Sequence, residues 1–172
     1  MKNNGDSVIG IDPGLSETGW AVLGAGPRLI ASGCIKTSPR TPFPERLREL
    51  HDGLTKVLKE YNPSSAAIEE MFFVKVAHTI RATLQARGVI LLAVAHRNVP
   101  MREFNPKQVK IALTGSGAAQ KPQMQKMVQA ALKLKSRLTP DDVADAAAIA
   151  LCHQRQGRIK NFVVLDRIGG KG

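Results

Sequence analysis

Residues 7–12 (SVIGID), 18–23 (TGWAVL) and 29–36 (LIASGCIK) are three strand-like runs crowded into the start of the chain. The links between them, PGLSE and GAGPR, are five residues each and carry Pro and Gly turn chemistry. A parallel crossover needs roughly a dozen residues or more, so strands joined by such links are antiparallel neighbours. A three-stranded meander follows, and everything after residue 36 must be added to its edges or faces.

The period then changes. Leu47, Leu50, Leu54, Val57, Leu58 and Tyr61 recur at helical spacing, which predicts an amphipathic helix ending at Asn62-Pro63. Residues 64–73 (SSAAIEEMFF) read as a buried strand, 76–97 as a long helix and 99–104 (VPMREF) as a fifth strand. Pro106 opens a short helix that stops at Gly115-Ser116-Gly117. Met124, Met127, Val128, Ala131 and Leu132 mark the next helix, and 141–156 the last. Strand–helix–strand successions require right-handed parallel crossovers that lay helices on the sheet. The expected fold is α/β: a five-stranded mixed sheet, three strands antiparallel and two parallel, with helices on both faces. One domain over residues 1–157 and a basic tail over 158–172 (RIKNFVVLDRIGGKG) account for the length.

Charge narrows the partner. The chain carries 25 Lys+Arg against 14 Asp+Glu, a net charge of +11, which favours a polyanion such as nucleic acid. The longest apolar run, 89–95, is too short to span a bilayer, and no lipidation or leader signal is present, so no membrane role is expected. Cys34 and Cys152 stand far apart in apolar surroundings. They predict buried thiols in a reducing cytoplasm and exclude a Cys-rich zinc site.

Within this basic chain a few acids are oddly placed. Asp12 ends the first apolar strand, Glu69 and Glu70 end the fourth, and Asp142 and Asp145 share a face of the last helix. Strand alternation lets only one of Glu69 and Glu70 point with Asp12. Each acid has an ordinary reading. Asp12 before Pro13-Gly14 suits a turn. Asp142 completes a T-x-x-D capping box with Thr139 as N-cap and Pro140 at the first helical position. Asp141 suits the helix dipole. Asp145 is harder to dismiss, because it interrupts an Ala-rich helix. Taken together, clustered carboxylates repel one another and raise their own pKa values unless divalent cations neutralise them. Oxygen-only ligands select Mg²⁺ or Mn²⁺ over Zn²⁺, and a pair of such ions suits in-line phosphodiester hydrolysis.

The segments IGIDPGLSETGWAVL, AAIEEMFF with QARGVI, PKQVK, GSGAAQKPQMQKMV and PDDVADAAAIALCH resemble, in this order, the RuvC Holliday junction resolvases. The resemblance spans roughly residues 8–155 and implies a ribonuclease H-like fold. It implies a homodimer that nicks two opposing strands of a four-way DNA junction within a short T-rich sequence, in concert with a branch-migration motor. It implies Mg²⁺ or Mn²⁺ at Asp12, Glu69, Asp142 and Asp145, choosing Glu69 over Glu70 and leaving Asp141 outside. Lys110 and Lys121 map near the scissile phosphate, and Phe72, here followed by Phe73, near unstacked junction bases. By the same resemblance the dimer contact lies along the long helix, around residues 79–88. Arg81 and Arg87 on that helix are expected to attract the DNA backbone. The four histidines read as incidental.

Other readings fit less of the chain. An actin-like or sugar-kinase ATPase shares the strand-end aspartate and following Gly and Thr, but needs a second lobe that 172 residues cannot supply. A related nuclease acting on RNA or plain duplex DNA is hardly separable by charge alone. A non-catalytic DNA-binding module would use the acids only as caps.

Overall fold

The computed structural model of the chain describes residues 6–70 and 77–156. The meander forms as the link lengths require: β1 (Val8–Asp12), β2 (Glu17–Leu23) and β3 (Leu29–Lys36) are antiparallel neighbours. α1 (Phe43–Tyr61) leads to β4 (Ser65–Glu69), which pairs parallel to β1, and α2 (Ala77–His96) leads to β5 (Met101–Phe104), parallel to β4. α3 (Pro106–Thr114), α4 (Lys121–Ala131) and α5 (Asp141–Arg155) complete the chain. The sheet order is β3-β2-β1-β4-β5, the mixed sheet expected of the ribonuclease H-like class.

Alternation sorts the sheet residues between two cores. Ile9, Ile11, Val22, Ala66 and Ile68 face α1 and α2, where Leu50, Leu54, Leu58, Ile90 and Val94 are buried. Val8, Ala21, Leu23 and Ala67 face α5, joined by residues of α3 and α4. Burying a Leu or Ile contributes about 1.5–3 kcal/mol, so both faces are strongly held.

α5 lies unusually close to the sheet. Gly10 and Gly19 point at it, and a Cβ at either would collide with helix backbone: Ala146 O and Ala150 N at Gly10, Asp142 O and C at Gly19. Small residues on both sides, with Ala146, Ala147 and Ala150 on the helix, let the backbones approach. The first turn of α5 therefore sits over the ends of β1 and β2.

Two expectations are corrected, the capping box at Thr139 and the burial of Cys34. The helix over α5 begins at Asp141 with Pro140 as N-cap and no side-chain cap bond, so the Thr139–Asp142 capping box does not form. The first amphipathic helix starts at Phe43, ahead of the periodic run that predicted it, with Pro42 as N-cap and Pro44 in the first turn. Cys152 is buried, but Cys34 on the edge strand β3 is only half-buried. The tail 158–172 lies outside the described residues.

Candidate active site

Three elements deliver acids to one end of the sheet. Asp12 is the last residue of β1 and lies opposite Gly19 of β2. Alternation puts it on the α5 side, two residues after Gly10. Glu69 ends β4 two residues after Ala67, which packs in the α5-side core, so its side chain shares the face of Asp12. Asp142 and Asp145 look down from the first turns of α5.

The loop after Asp12 is pinned from below. Thr18, fully buried, donates its hydroxyl to the Gly14 carbonyl. Thr37 donates to the Leu15 carbonyl at 2.6 Å, and Arg46 of α1 donates to Thr37 Oγ1 and Ser16 Oγ, each at 2.9 Å. The turn after the acid is thus rigid.

The four acids feel one another. Burial pushes the Asp12 carboxyl up to about 8, with further upward pressure from Glu69, Asp145 and Asp142, against a smaller downward pull from Lys121. Burial and then Asp145 raise Glu69, opposed by Arg87 and Lys110. Asp142 is raised chiefly by burial, and also by neighbouring Glu17 and Asp145. Among the described residues no three His, Cys, Asp or Glu side chains are grouped tightly enough to hold a metal ion. Lys121, at the start of α4, supplies positive charge at the rim, 3.1 Å from Asp141 and 3.2 Å from Asp145. An all-oxygen, mutually destabilised donor set fits a hard divalent ion.

These shifts have a sign. Asp12 has a folded pKa of about 8 against 3.8 for the free side chain. Its folded-state protonation therefore supports stability fully below about pH 4, and that support is lost as pH rises through about 8. In chelator, the melting temperature of the wild-type protein is expected to fall relative to that of Asp12→Asn as pH climbs from 5 to about 8.5. A constant difference across that range would show that Asp12 is not held in an anion-hostile site.

The other expected residues distribute as follows. Lys110, half-buried on α3, lies within electrostatic reach of Glu69. Arg81 is exposed on α2. The expectation for Arg87 is corrected. Its side chain is 10% exposed, donates to the Glu69 carbonyl and pairs with Glu103 at 2.6 Å, so its charge is committed inside the protein. Phe72 and Phe73 lie outside the described residues. Glu17 was missed. It neighbours Asp142 and forms a 2.7 Å ion pair with Lys36, which holds its carboxyl below the usual range. The sequence alone did not mark it, because Glu17 and Lys36 come to oppose each other only through the β2–β3 register.

Comparison with known proteins agrees with this architecture. The family model described as "Crossover junction endodeoxyribonuclease RuvC" matches residues 8–153. A protein of that name from Endomicrobium trichonymphae is 48% identical over 150 residues, covering 85% of this chain and 79% of its own. The solved structure of Thermus thermophilus RuvC superposes with a TM-score of 0.81 at 37% identity, over 90% of this chain and 96% of the other. A T. thermophilus RuvC structure in complex with a Holliday junction substrate gives 0.82 at 34% identity, with the same coverage. Strand order, the acids gathered at one end of the sheet and a match across nearly the whole chain converge on one conclusion: this protein belongs to the RuvC family of crossover junction endodeoxyribonucleases.

Proposed function

We propose that this chain resolves four-way DNA junctions by hydrolysing phosphodiester bonds in two opposing strands during recombination and repair. The observation that carries this reading is the electrostatic coupling of Asp12 to Glu69, Asp142 and Asp145, acids remote in sequence, in a protein of net charge +11. A T. thermophilus relative has been solved with a Holliday junction, which supports the same substrate here.

In this reading Asp12, Glu69, Asp142 and Asp145 hold two Mg²⁺ or Mn²⁺ ions. Bound there, such ions supply a lowered water pKa and charge stabilisation at the leaving oxygen. The residues of the chain do the rest. Asp12, on a rigid strand end, fixes one edge of the site, and the first turn of α5 fixes the other. Lys110 and Lys121 attract and orient the phosphate flanking the scissile bond, and Arg81 adds backbone attraction from α2. Phe72 and Phe73 are assigned the unstacked bases of the junction, where stacking is worth about 1–3 kcal/mol per base.

Two opposing nicks require two sites related by a twofold axis, which a homodimer supplies. The exposed side of α2 suits that contact: Leu84 is 38% and Leu92 49% exposed, with Gly88 open between them. A branch-migration motor and a cytoplasmic setting complete the proposal. Among the described residues no helix is long and apolar enough to cross a membrane.

The test is a synthetic junction labelled on each strand in turn, incubated with Mg²⁺ or Mn²⁺. The expected products are paired nicks at symmetry-related positions, with duplexes of the same arm sequences left intact. Equal cutting of the duplexes would contradict junction resolution. Lys110→Ala and Lys121→Ala are each expected to cut cleavage by about tenfold or more. Each is expected to lower the slope of log affinity against log salt by about 0.9 for every phosphate that the lysine had neutralised. Their stability should change by less than about 1 kcal/mol, because the ion pairs of Lys121 are exposed ones.

A further inference from the structure

Among the described residues, Arg87 is the most buried cation on the α2 side of the sheet, 8% exposed. Burying a guanidinium costs several kcal/mol unless its donors are satisfied, so its partners carry information. Nη1 donates to the backbone carbonyl of Glu69 at 2.5 Å, and Nη2 pairs with the Glu103 carboxylate at 2.6 Å. Glu69 ends β4, and Glu103 lies opposite Ile68 on β5. One planar fork therefore ties α2 to the ends of two adjacent strands.

The location of the tie matters. The β1–β4 ladder ends at the Ile11–Ile68 pair, and Glu69 is the next residue. On the other side, Glu70 N–H donates to the Phe104 carbonyl at 2.8 Å. The Glu69 side chain projects towards α5, while Arg87 grips its backbone from the α2 side. We propose that Arg87 is a positioning residue that locks the end of β4 and thereby aims the Glu69 carboxylate, and that it makes no contact with DNA.

This inference rests on the reading of Glu69 as a metal-binding acid. It is consistent with the charge balance at Glu69, where burial and Asp145 disfavour the ionised form and Arg87 leads the opposing pull. Lysine cannot reproduce the arrangement, because its three donors radiate from one nitrogen, whereas the guanidinium holds two nitrogens in a fixed planar fork, one for each partner.

The test uses the full chain with Arg87→Lys and Glu103→Gln, the second being a milder loosening of the same fork. Mn²⁺ affinity is measured by calorimetry without DNA, alongside junction affinity in chelator and junction cleavage. Residues that orient metal ligands typically change metal affinity or activity by about 10–100-fold when substituted. Arg87→Lys is expected to weaken Mn²⁺ binding and cleavage by at least about tenfold, with Glu103→Gln giving a smaller loss in the same direction. Junction affinity and its salt slope should stay within about twofold of wild type, because the DNA backbone keeps all its cationic partners. Reduced junction affinity with a reduced salt slope and intact Mn²⁺ binding would overturn the proposal in favour of a DNA contact. Glu69→Gln in parallel separates the two levels. If it leaves Mn²⁺ affinity unchanged, the assignment of Glu69 itself fails. If it lowers that affinity and Arg87→Lys does not, only the role of Arg87 is overturned.

Discussion

Asp12→Asn is expected to reduce junction cleavage by about a thousandfold or more, the equivalent of about 4 kcal/mol of transition-state stabilisation. The amide keeps the shape of the side chain but loses the negative charge that would hold a divalent ion. Junction affinity should be equal to or tighter than wild type, because a buried anion is removed from the path of phosphates. The same substitution should stabilise the metal-free fold above neutral pH, since Asp12 there is forced towards a charge that its surroundings oppose, with a carboxyl pKa raised to about 8. Loss of cleavage with gain of stability is the signature of a functional acid. A cap or turn residue would lose stability and leave cleavage intact.

Gly19→Ala carries the second large effect, and it links fold to chemistry. A methyl at Gly19 would run into the backbone carbonyl of Asp142, which cannot move without taking the first turn of α5 with it. Overpacking of this kind costs about 1–3 kcal/mol. The larger consequence falls on the site, because Asp142 and Asp145 ride on that turn. Misplacement of a reacting group by about 1 Å can cost about 100-fold, so cleavage should fall by that order while most of the protein remains folded at 25 °C. Gly53→Ala is a useful contrast. The atoms nearest its Cβ would be those of the Ile35 side chain, at 3.1–3.4 Å, in the core on the α1 side of the sheet rather than the α5 side. Its effect should stay in stability, measured by denaturant unfolding, with cleavage per folded molecule unchanged.

Much of this was legible in the sequence because it followed from local rules. Link lengths fixed the meander, period changes fixed the helices, and the sheet order completes that pattern. The end of α1 at Tyr61 is fixed by Asn62 in the left-handed conformation, as Asn-Pro suggested. What escaped depended on depth and register. Arg87 and Arg81 look alike in sequence, yet one is buried against β4 and the other faces solvent, a distinction set by which side of α2 meets the sheet. Glu17 became a neighbour of Asp142 only through strand pairing and the descent of α5. Gly10 and Gly19 were visible as glycines inside strands, a pattern that signals close backbone approach, and they explain how α5 reaches Asp12. The choice of Glu69 over Glu70 came from resemblance, and alternation through Ala67 now gives it a physical basis.

The central claim is that Asp12, Glu69, Asp142 and Asp145 share bound metal. Anomalous diffraction from crystals grown with Mn²⁺ addresses it without reference to activity. Peaks are expected about 2.0–2.3 Å from the carboxylate oxygens of Asp12 and of at least two of the other three acids, with Lys121 drawn away from Asp145. Mn²⁺ peaks that avoid Asp12 altogether, or saturating Mn²⁺ that leaves the four carboxylates unshared, would contradict it.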